Sequence, residues 1–208
     1  MSNMKLWNSV CVTDPSAVKP ITGKQYKGNS PKPYWVIRRA TETFGPCGIG
    51  WGVEVVSERF ERLTDTDVLH VAMVRVWYML DDKRGHIEQM GQTKACYKTA
   101  AGGMMIDEDA PKKSVTDGMV KCLSMLGFAG DIFSGQWDDS KYVAWAGEQY
   151  EPKPDVSAIL KGISNSTSMD LLKTNFTYAM NMLDSSYHEA LISAKDKRKQ
   201  ELTQKETQ

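Results

Sequence analysis

The sequence predicts an α+β fold: a three-stranded antiparallel sheet packed on one long helix, a β-β-β-α core, with a helix before it and a small helical module after it. Three observations predict this. Ala72, Val74, Val76, Tyr78 and Leu80 alternate at period two. Val115, Met119, Cys122, Leu123 and Leu126 recur at i, i+4, i+7, i+8 and i+11, the spacing of one helix face. Beyond residue 155 the character changes to helices, with Met169, Leu172, Phe176, Met180 and Leu183 apolar at helical spacing.

Residues 1–30 carry Pro15, Pro20, Gly23, Gly28 and several lysines without apolar periodicity, and read as an extended or loosely ordered basic arm. A helix follows. Ser30, Pro31 and Pro33 favour its start, Tyr34, Ile37, Ala40 and Phe44 give its apolar stripe, and Gly45-Pro46 stops it, leaving Arg38, Arg39 and Glu42 largely on the other side. Strands are expected at Ile49 to Glu58, Val68 to Leu80 and His86 to Thr99, with Asp81 to Gly85 as the hairpin turn and Arg75 on the face opposite Val74 and Val76. After Ala101-Gly102-Gly103, the acids and proline between Asp107 and Pro111 suit the first turn of the long helix, and Gly127 suits its end. Residues 147–155, polar and holding two prolines, read as a linker. Helices are then expected at Ser157 to Gly162, Ser168 to Leu183 and Ser185 to Leu202, with Ser168 as an N-cap and Met169, Leu172, Phe176, Met180 and Leu183 as a stripe. The domain reading is therefore arm 1–30, core 31–146, linker 147–155 and helical module 156–208.

Composition narrows the function classes. At 41% hydrophobic and 25% charged residues the chain can bury a real core. No apolar run is long enough for a membrane span and the first ten residues lack a signal-peptide pattern, so a cytoplasmic protein is expected. Cys11, Cys47, Cys96 and Cys122 are scattered, without a metal spacing, and read as reduced packing residues. The net charge is zero, but residues 1–50 hold seven Lys or Arg against Asp14 and Glu42, leaving the rest of the chain acidic. Nucleic-acid binding depends on where charge sits, so this polarity leaves it open.

Two separated motifs resemble the Rad-fifty-two family of single-strand annealing proteins. The run from Lys112 to Gly127 is similar to that family's signature helix, in which basic residues precede A-V-T-D-G-L-K-R-A-L and then F-G. Val115-Thr116-Asp117-Gly118 match it residue for residue, and Leu123 and Gly127 keep their spacing. Upstream, Ala40-Thr-Glu-Thr-Phe-Gly45 followed by Gly50-Trp51 resembles the family's A-N-E-M-F-G and G-W. The Gly-Trp-Gly run and the segment from Gly135 to Tyr142 look most like phage-encoded members. The likeness covers about residues 30–145. It implies ATP-independent binding and annealing of single-stranded DNA during recombination, no cofactor or catalytic residue, and rings or helical arrays of identical subunits.

The family places two adjacent basic residues after its D-G-L; here Val120 and Lys121 stand there, so Lys121 alone carries that contact over. A further family basic residue falls at Trp35, and Arg38 and Arg39 are the nearby substitutes. An annealing protein must hold strands by their phosphates and leave base edges free. The expected DNA-binding set is therefore Lys121, Lys112 and Lys113 on one helix, Arg38 and Arg39 on another, and Arg75, Lys94 and Lys98 from the hairpin, all around one groove. The partners expected are single-stranded DNA, the annealed duplex intermediate and further copies of the chain. A host single-strand-binding protein or a phage exonuclease is the expected partner of residues 156–208.

Other readings stand beside these. Asp117 and Thr116 suit a polar pair that fixes the helix against the sheet as well as a DNA contact. Trp51, Trp77 and Trp137 suit the core better than base stacking, and Met104, Met105, Met119, Met125 and Met180 suit core or subunit contacts. Gly45, Gly48, Gly50 and Gly52 fail the dinucleotide pattern at Val53, and Gly23-Lys24 lacks the rest of a phosphate loop. Asp107, Glu108, Asp109, Asp138 and Asp139 keep a magnesium nuclease open, His70, His86 and His188 show no partner pattern, and an adaptor that uses the annealing fold only for assembly is the other alternative.

Overall fold

The structure is a computed structural model that describes residues 3–22, 27–151 and 154–206. The chain divides into two units, Met1–Tyr150 and Glu151–Gln208. Gly23 and Lys24 of the arm, and Pro152 and Lys153 of the expected linker, lie outside the described residues.

The first unit is built on a four-stranded antiparallel sheet of β3 (Trp51–Arg62), β4 (Val68–Leu80), β5 (Lys83–Lys98) and β6 (Met104–Ile106), in that spatial order. This corrects the expected three-stranded sheet. The fourth strand, β6, pairs Ile106 with Cys96 and Met104 with Lys98, and at three residues it is too short to show any alternation. A separate two-stranded ribbon, β1 (Val18–Pro20) with β2 (Asn29–Pro31), is a second addition, inside the segment read as a loose arm.

Alternation along β4 sorts the sheet into two faces. His70, Ala72, Val74 and Val76 are buried on the inner face, where α3 (Ala110–Ser124) and α2 (Pro33–Phe44) supply Val36, Ala40, Phe44, Met119, Cys122 and Leu123 to one core with Trp51 and Phe128. Among the expected α2 stripe Tyr34 is 84% exposed, and Val36 takes its place one turn before Ala40. Of the expected α3 stripe, Val115 and Leu126 are only partly buried, while Ser114 and Gly118 are buried. That shift has a cause: α3 lies directly on β5, with Gly118 and the Ser114 carbonyl against Gly91. The Ser114 hydroxyl donates to the His70 and Ala110 carbonyls.

The N-terminal segment is also ordered. Helix α1 (Lys5–Val10) leads to Thr13, which is fully buried. Asp131 holds it there: its carboxyl oxygens accept from Thr13 N at 2.7 Å, Thr13 Oγ1 at 2.6 Å, Trp137 Nε1 at 2.8 Å and the Tyr142 hydroxyl at 3.0 Å. Asp131 sits in the short helix α4 (Gly130–Phe133), and Tyr142 on α5 (Ser140–Tyr150), which runs through the first four residues of the expected linker. Burial, then Asp131 itself, pushes the Tyr142 phenol well above the ordinary tyrosine range.

The second unit is a three-helix module of α6 (Val156–Ser164), α7 (Met169–Met182) and α8 (His188–Glu206). Ile163, Leu172, Ala179, Leu183, Leu191 and Leu202 form its core. The Ser168 hydroxyl accepts from Leu171 N, the expected cap. Among the described residues no helix is long and apolar enough to cross a membrane.

Candidate nucleic-acid interface

The ribbon, α3 and the outer edge of β5 enclose a concave surface in the first unit. A cleft of about 800 Å³ is lined by Lys19, Ile21 and Pro31 from the ribbon, by Asp109, Lys112, Lys113, Thr116, Asp117, Val120 and Lys121 from α3, and by Ile132 and Phe133. A second, of about 700 Å³, shares Gln92, Lys113 and Asp117 with it and continues past Thr93, Lys94 and Tyr97. The two form one open groove. Its apolar wall is Ile21, Pro31, Val120, Ile132 and the half-exposed Phe133.

The helix–edge contact that builds this groove uses the residues of the signature motif. Gln92 N donates to Asp117 Oδ2 at 3.2 Å, and Lys121 Nζ donates to the Met90 carbonyl at 3.3 Å. Both backbone groups are exposed edge groups of β5, and Asp117 and Lys121 are themselves paired at 2.8 Å. The i, i+4 spacing puts both side chains over one stretch of strand. Asp117 thus takes the helix-fixing role rather than facing away, although it is 40% exposed rather than buried. The Thr116 hydroxyl donates to the Lys112 carbonyl of its own helix. The upstream motif is structural as well: Gly45 is left-handed at φ +96°, Gly50 passes so close to the Phe44 carbonyl that no side chain fits, and Trp51 Nε1 donates to Thr41 Oγ1 at 3.3 Å.

The groove lysines on α3 and β5 have carboxylate partners. Lys112 pairs with Asp109 at 2.6 Å, Lys113 with Asp107 at 2.6 Å, Lys121 with Asp117 and Lys94 with Asp67 at 3.3 Å. The hydrogen bond to Lys112 holds the Asp109 carboxyl below its ordinary range, and those from Thr64 and Lys94 do the same for Asp67. Lys112 and Lys113 are raised by the bonds to Asp109 and Asp107.

Four of the eight expected residues therefore meet around one groove: Lys94, Lys112, Lys113 and Lys121. The other four do not line it. Arg75 points from the outer face of the sheet, where it bridges Glu54 at 3.1 Å and Glu88 at 2.6 Å, because β4 alternation turns it away from α3. Arg38 and Arg39 share Glu42 on α2, and Arg39 also donates to the Ser9 carbonyl, so it joins α1 to α2. Lys98 lies at the β5–β6 hairpin opposite Met104. Lys19, Phe133 and Tyr97 are groove residues that sequence reasoning missed. Lys19 had a signal in the basic arm, but Phe133 and Tyr97 had none, because only the tertiary fold brings them beside α3.

The tryptophans divide. Trp51 is in the core, Trp77 lies half-buried on the outer face with Arg84 stacked 4.7 Å from its ring, and Trp137 bonds Asp131. Met119 is core, while Met104, Met105 and Met125 are exposed. Cys122 is buried and Cys47 exposed, all four cysteines being free. Asp107 and Asp109 are engaged by lysines, and among the described residues no three His, Cys, Asp or Glu are grouped to hold a metal ion. His70 is buried, 3.4 Å from Glu58 and edge-on to Phe60.

No family model matches this chain, and no curated protein matches it. The resemblance to annealing proteins rests on its two motifs and their order.

Proposed function

We propose that this chain binds single-stranded DNA in the groove between the β1–β2 ribbon, α3 and the β5 edge, and that it anneals complementary strands without nucleotide hydrolysis, as a homo-oligomer. One observation carries the reading. Lysines from three separate elements, Lys19, Lys94 and the α3 trio Lys112, Lys113 and Lys121, converge on one open groove whose other wall is apolar and holds Phe133. Spaced cations hold phosphates, and an apolar or aromatic wall accepts base faces without reading sequence. Pairing and stacking of the two strands supply the free energy, so the protein has only to align and neutralise them. On this reading it works in the host cytoplasm of a phage, and the helical module recruits a single-strand-binding protein or an exonuclease.

The same groove supports a second reading. Because its α3 lysines are already matched by Asp107, Asp109 and Asp117, the surface is close to neutral, as suits an adaptor that uses the fold only for assembly. One experiment separates the two: annealing of complementary oligonucleotides in EDTA without nucleotide, across a salt series, for wild type and a Lys112→Ala/Lys113→Ala variant. The annealing reading expects acceleration that fades with salt, and a variant whose log–log salt slope for single-strand binding is smaller by about 0.7 for each phosphate no longer held. An unaccelerated rate at every protein concentration leaves the adaptor.

A further inference from the structure

We infer that the free edge of β3 is a self-complementary docking strand, which pairs antiparallel with β3 of a second copy about a two-fold axis through Phe60. This goes beyond the annealing reading and does not rest on it.

The β3 edge is open, and beyond a bulge at Val56 it runs in unbroken register from Ser57 to Arg62. Cys47 bridges Trp51 at the start of the strand; past that point β3 pairs only with β4, and among the described residues no strand lies on its other side. Residues 55–60 are all exposed, with Phe60 at 63%, and Leu63 just beyond the strand is exposed as well. Unpaired backbone groups beside exposed apolar side chains template a further strand.

Charge decides which strand. The edge reads Glu58-Arg59-Phe60-Glu61-Arg62. In an antiparallel pair centred on Phe60, each residue 60 − n faces residue 60 + n of the other copy. Phe60 then meets Phe60, Arg59 meets Glu61, and Glu58 meets Arg62, each charge pair twice over by symmetry. Alternation puts the Arg59–Glu61 pairs on one face, and the phenylalanines with the Glu58–Arg62 pairs on the other. The side chains are already arranged for this. Arg59 and Glu61 are joined at 2.6 Å along one face of the strand, so two copies bring two such pairs into a four-charge cluster. Phe60 is braced by His70 at a ring separation of 4.8 Å. An edge guarded against association carries charges that repel or obstruct a neighbour, whereas this one carries an order that reads as its own complement. Pairing joins two four-stranded sheets into one of eight strands.

The other exposed edge is β6, with Met104, Met105 and Ile106. A head-to-tail contact of β3 with β6 behaves differently in the same experiment. Arg59→Glu sets the new glutamate against Glu61 of the facing copy, and Glu61→Arg sets the new arginine against Arg59 of the facing copy. Each variant alone is expected to self-associate about thirtyfold more weakly than wild type through this edge, two cross-strand pairs having turned from attraction to repulsion. An equimolar mixture of the two variants again sets opposite charges across both pairs, so sedimentation should recover the wild-type association only on mixing. Wild-type association in either single variant, or a mixture no better than its components, overturns the proposal, and a head-to-tail β3–β6 contact gives the second of these. A wild-type chain that is monomeric at every concentration also overturns it. Phe60→Cys in a Cys47→Ser background is the independent check: oxidation should give a covalent dimer on a non-reducing gel, since residues facing each other in such a pair lie within disulfide reach. The absence of that dimer overturns the proposal even where the charge variants fold poorly.

Discussion

Replacing Gly91 by alanine should dismantle the contact on which the groove depends. A Cβ at this position would overlap the Ser114 carbonyl oxygen and lie 2.5 Å from Gly118 N, both backbone atoms of α3. Neither can rotate away as a flexible side chain would, so the helix itself must lift by roughly 1.5 Å to reach ordinary contact. Lifting α3 loosens Met119, Cys122 and Leu123 from the sheet, and overpacking of this kind costs about 3 kcal/mol. For a unit of this size that is a fall in Tm of roughly 6–12 °C. The matched control is Gly147→Ala on α5, where a Cβ meets nothing within 4 Å and the backbone is not left-handed. There the same methyl should stabilise, by about 0.5–1 kcal/mol, through helix propensity. Urea denaturation followed by tryptophan fluorescence reads both. A Gly91→Ala protein within about 0.5 kcal/mol of wild type would refute the claim that helix and strand touch at the backbone. Equal losses in the two variants would refute the assignment of the cost to this contact.

Asp131→Ala removes the acceptor for Thr13, Trp137 and Tyr142 at a site that is 2% exposed, and should cost about 3–5 kcal/mol by the same denaturation assay. The raised Tyr142 phenol gives a pH test of that hub. The folded state keeps its proton where the unfolded chain releases one, so stability should be intact below about pH 10 and decline above it, and Tyr142→Phe should flatten that decline. Asp109→Asn frees Lys112 from its partner and should tighten single-strand binding severalfold at low salt while steepening its salt dependence, read by fluorescence anisotropy. Leu191→Ala should weaken the helical module by about 2–5 kcal/mol in the full chain, and leave single-strand binding by the first unit unchanged.

The parts of the fold that could be read ahead were those with many repeats of one period. Alternation from Ala72 to Leu80, extended by the β-branched and apolar run from Val68, located β4 at both of its ends, and Ser168 marked the start of α7 by its chemistry. The misses have physical reasons. Strand β6 is three residues long, and Arg59 to Arg62 continue β3 although charged residues interrupt their apolar pattern, because at an exposed edge the ladder to β4 holds the strand without a buried face. The N-terminal segment looked loose because what orders it, the Asp131 carboxyl, is 118 residues away in sequence. Gly147 sat in a stretch that read as a linker, yet α5 runs through it with open space around its Cα. In the groove, membership of one helix was enough to group Lys112, Lys113 and Lys121, with Lys113, Asp117 and Lys121 at i, i+4 and i+8. The alternation and the α2 stripe also gave the directions of Arg75 and Arg38 correctly, but not that the faces they occupy are remote from the α3 groove, which depends on how the elements pack.

The ion pairs in the groove bear directly on how an annealing protein must work. A surface of unpaired lysines would hold each strand tightly and oppose its release as duplex, because every phosphate contact gains the full release of a counterion. On the proposed annealing reading, a phosphate entering at Lys112, Lys113 or Lys121 would compete with Asp109, Asp107 or Asp117 already in place. The gain per contact is therefore the difference between two ion pairs, smaller than a free lysine would give, and the carboxylate recaptures the lysine when the strand leaves. A modest, reversible grip multiplied over many subunits holds a long strand while leaving each short stretch free to test a complement. Such a grip is useful only in an assembly.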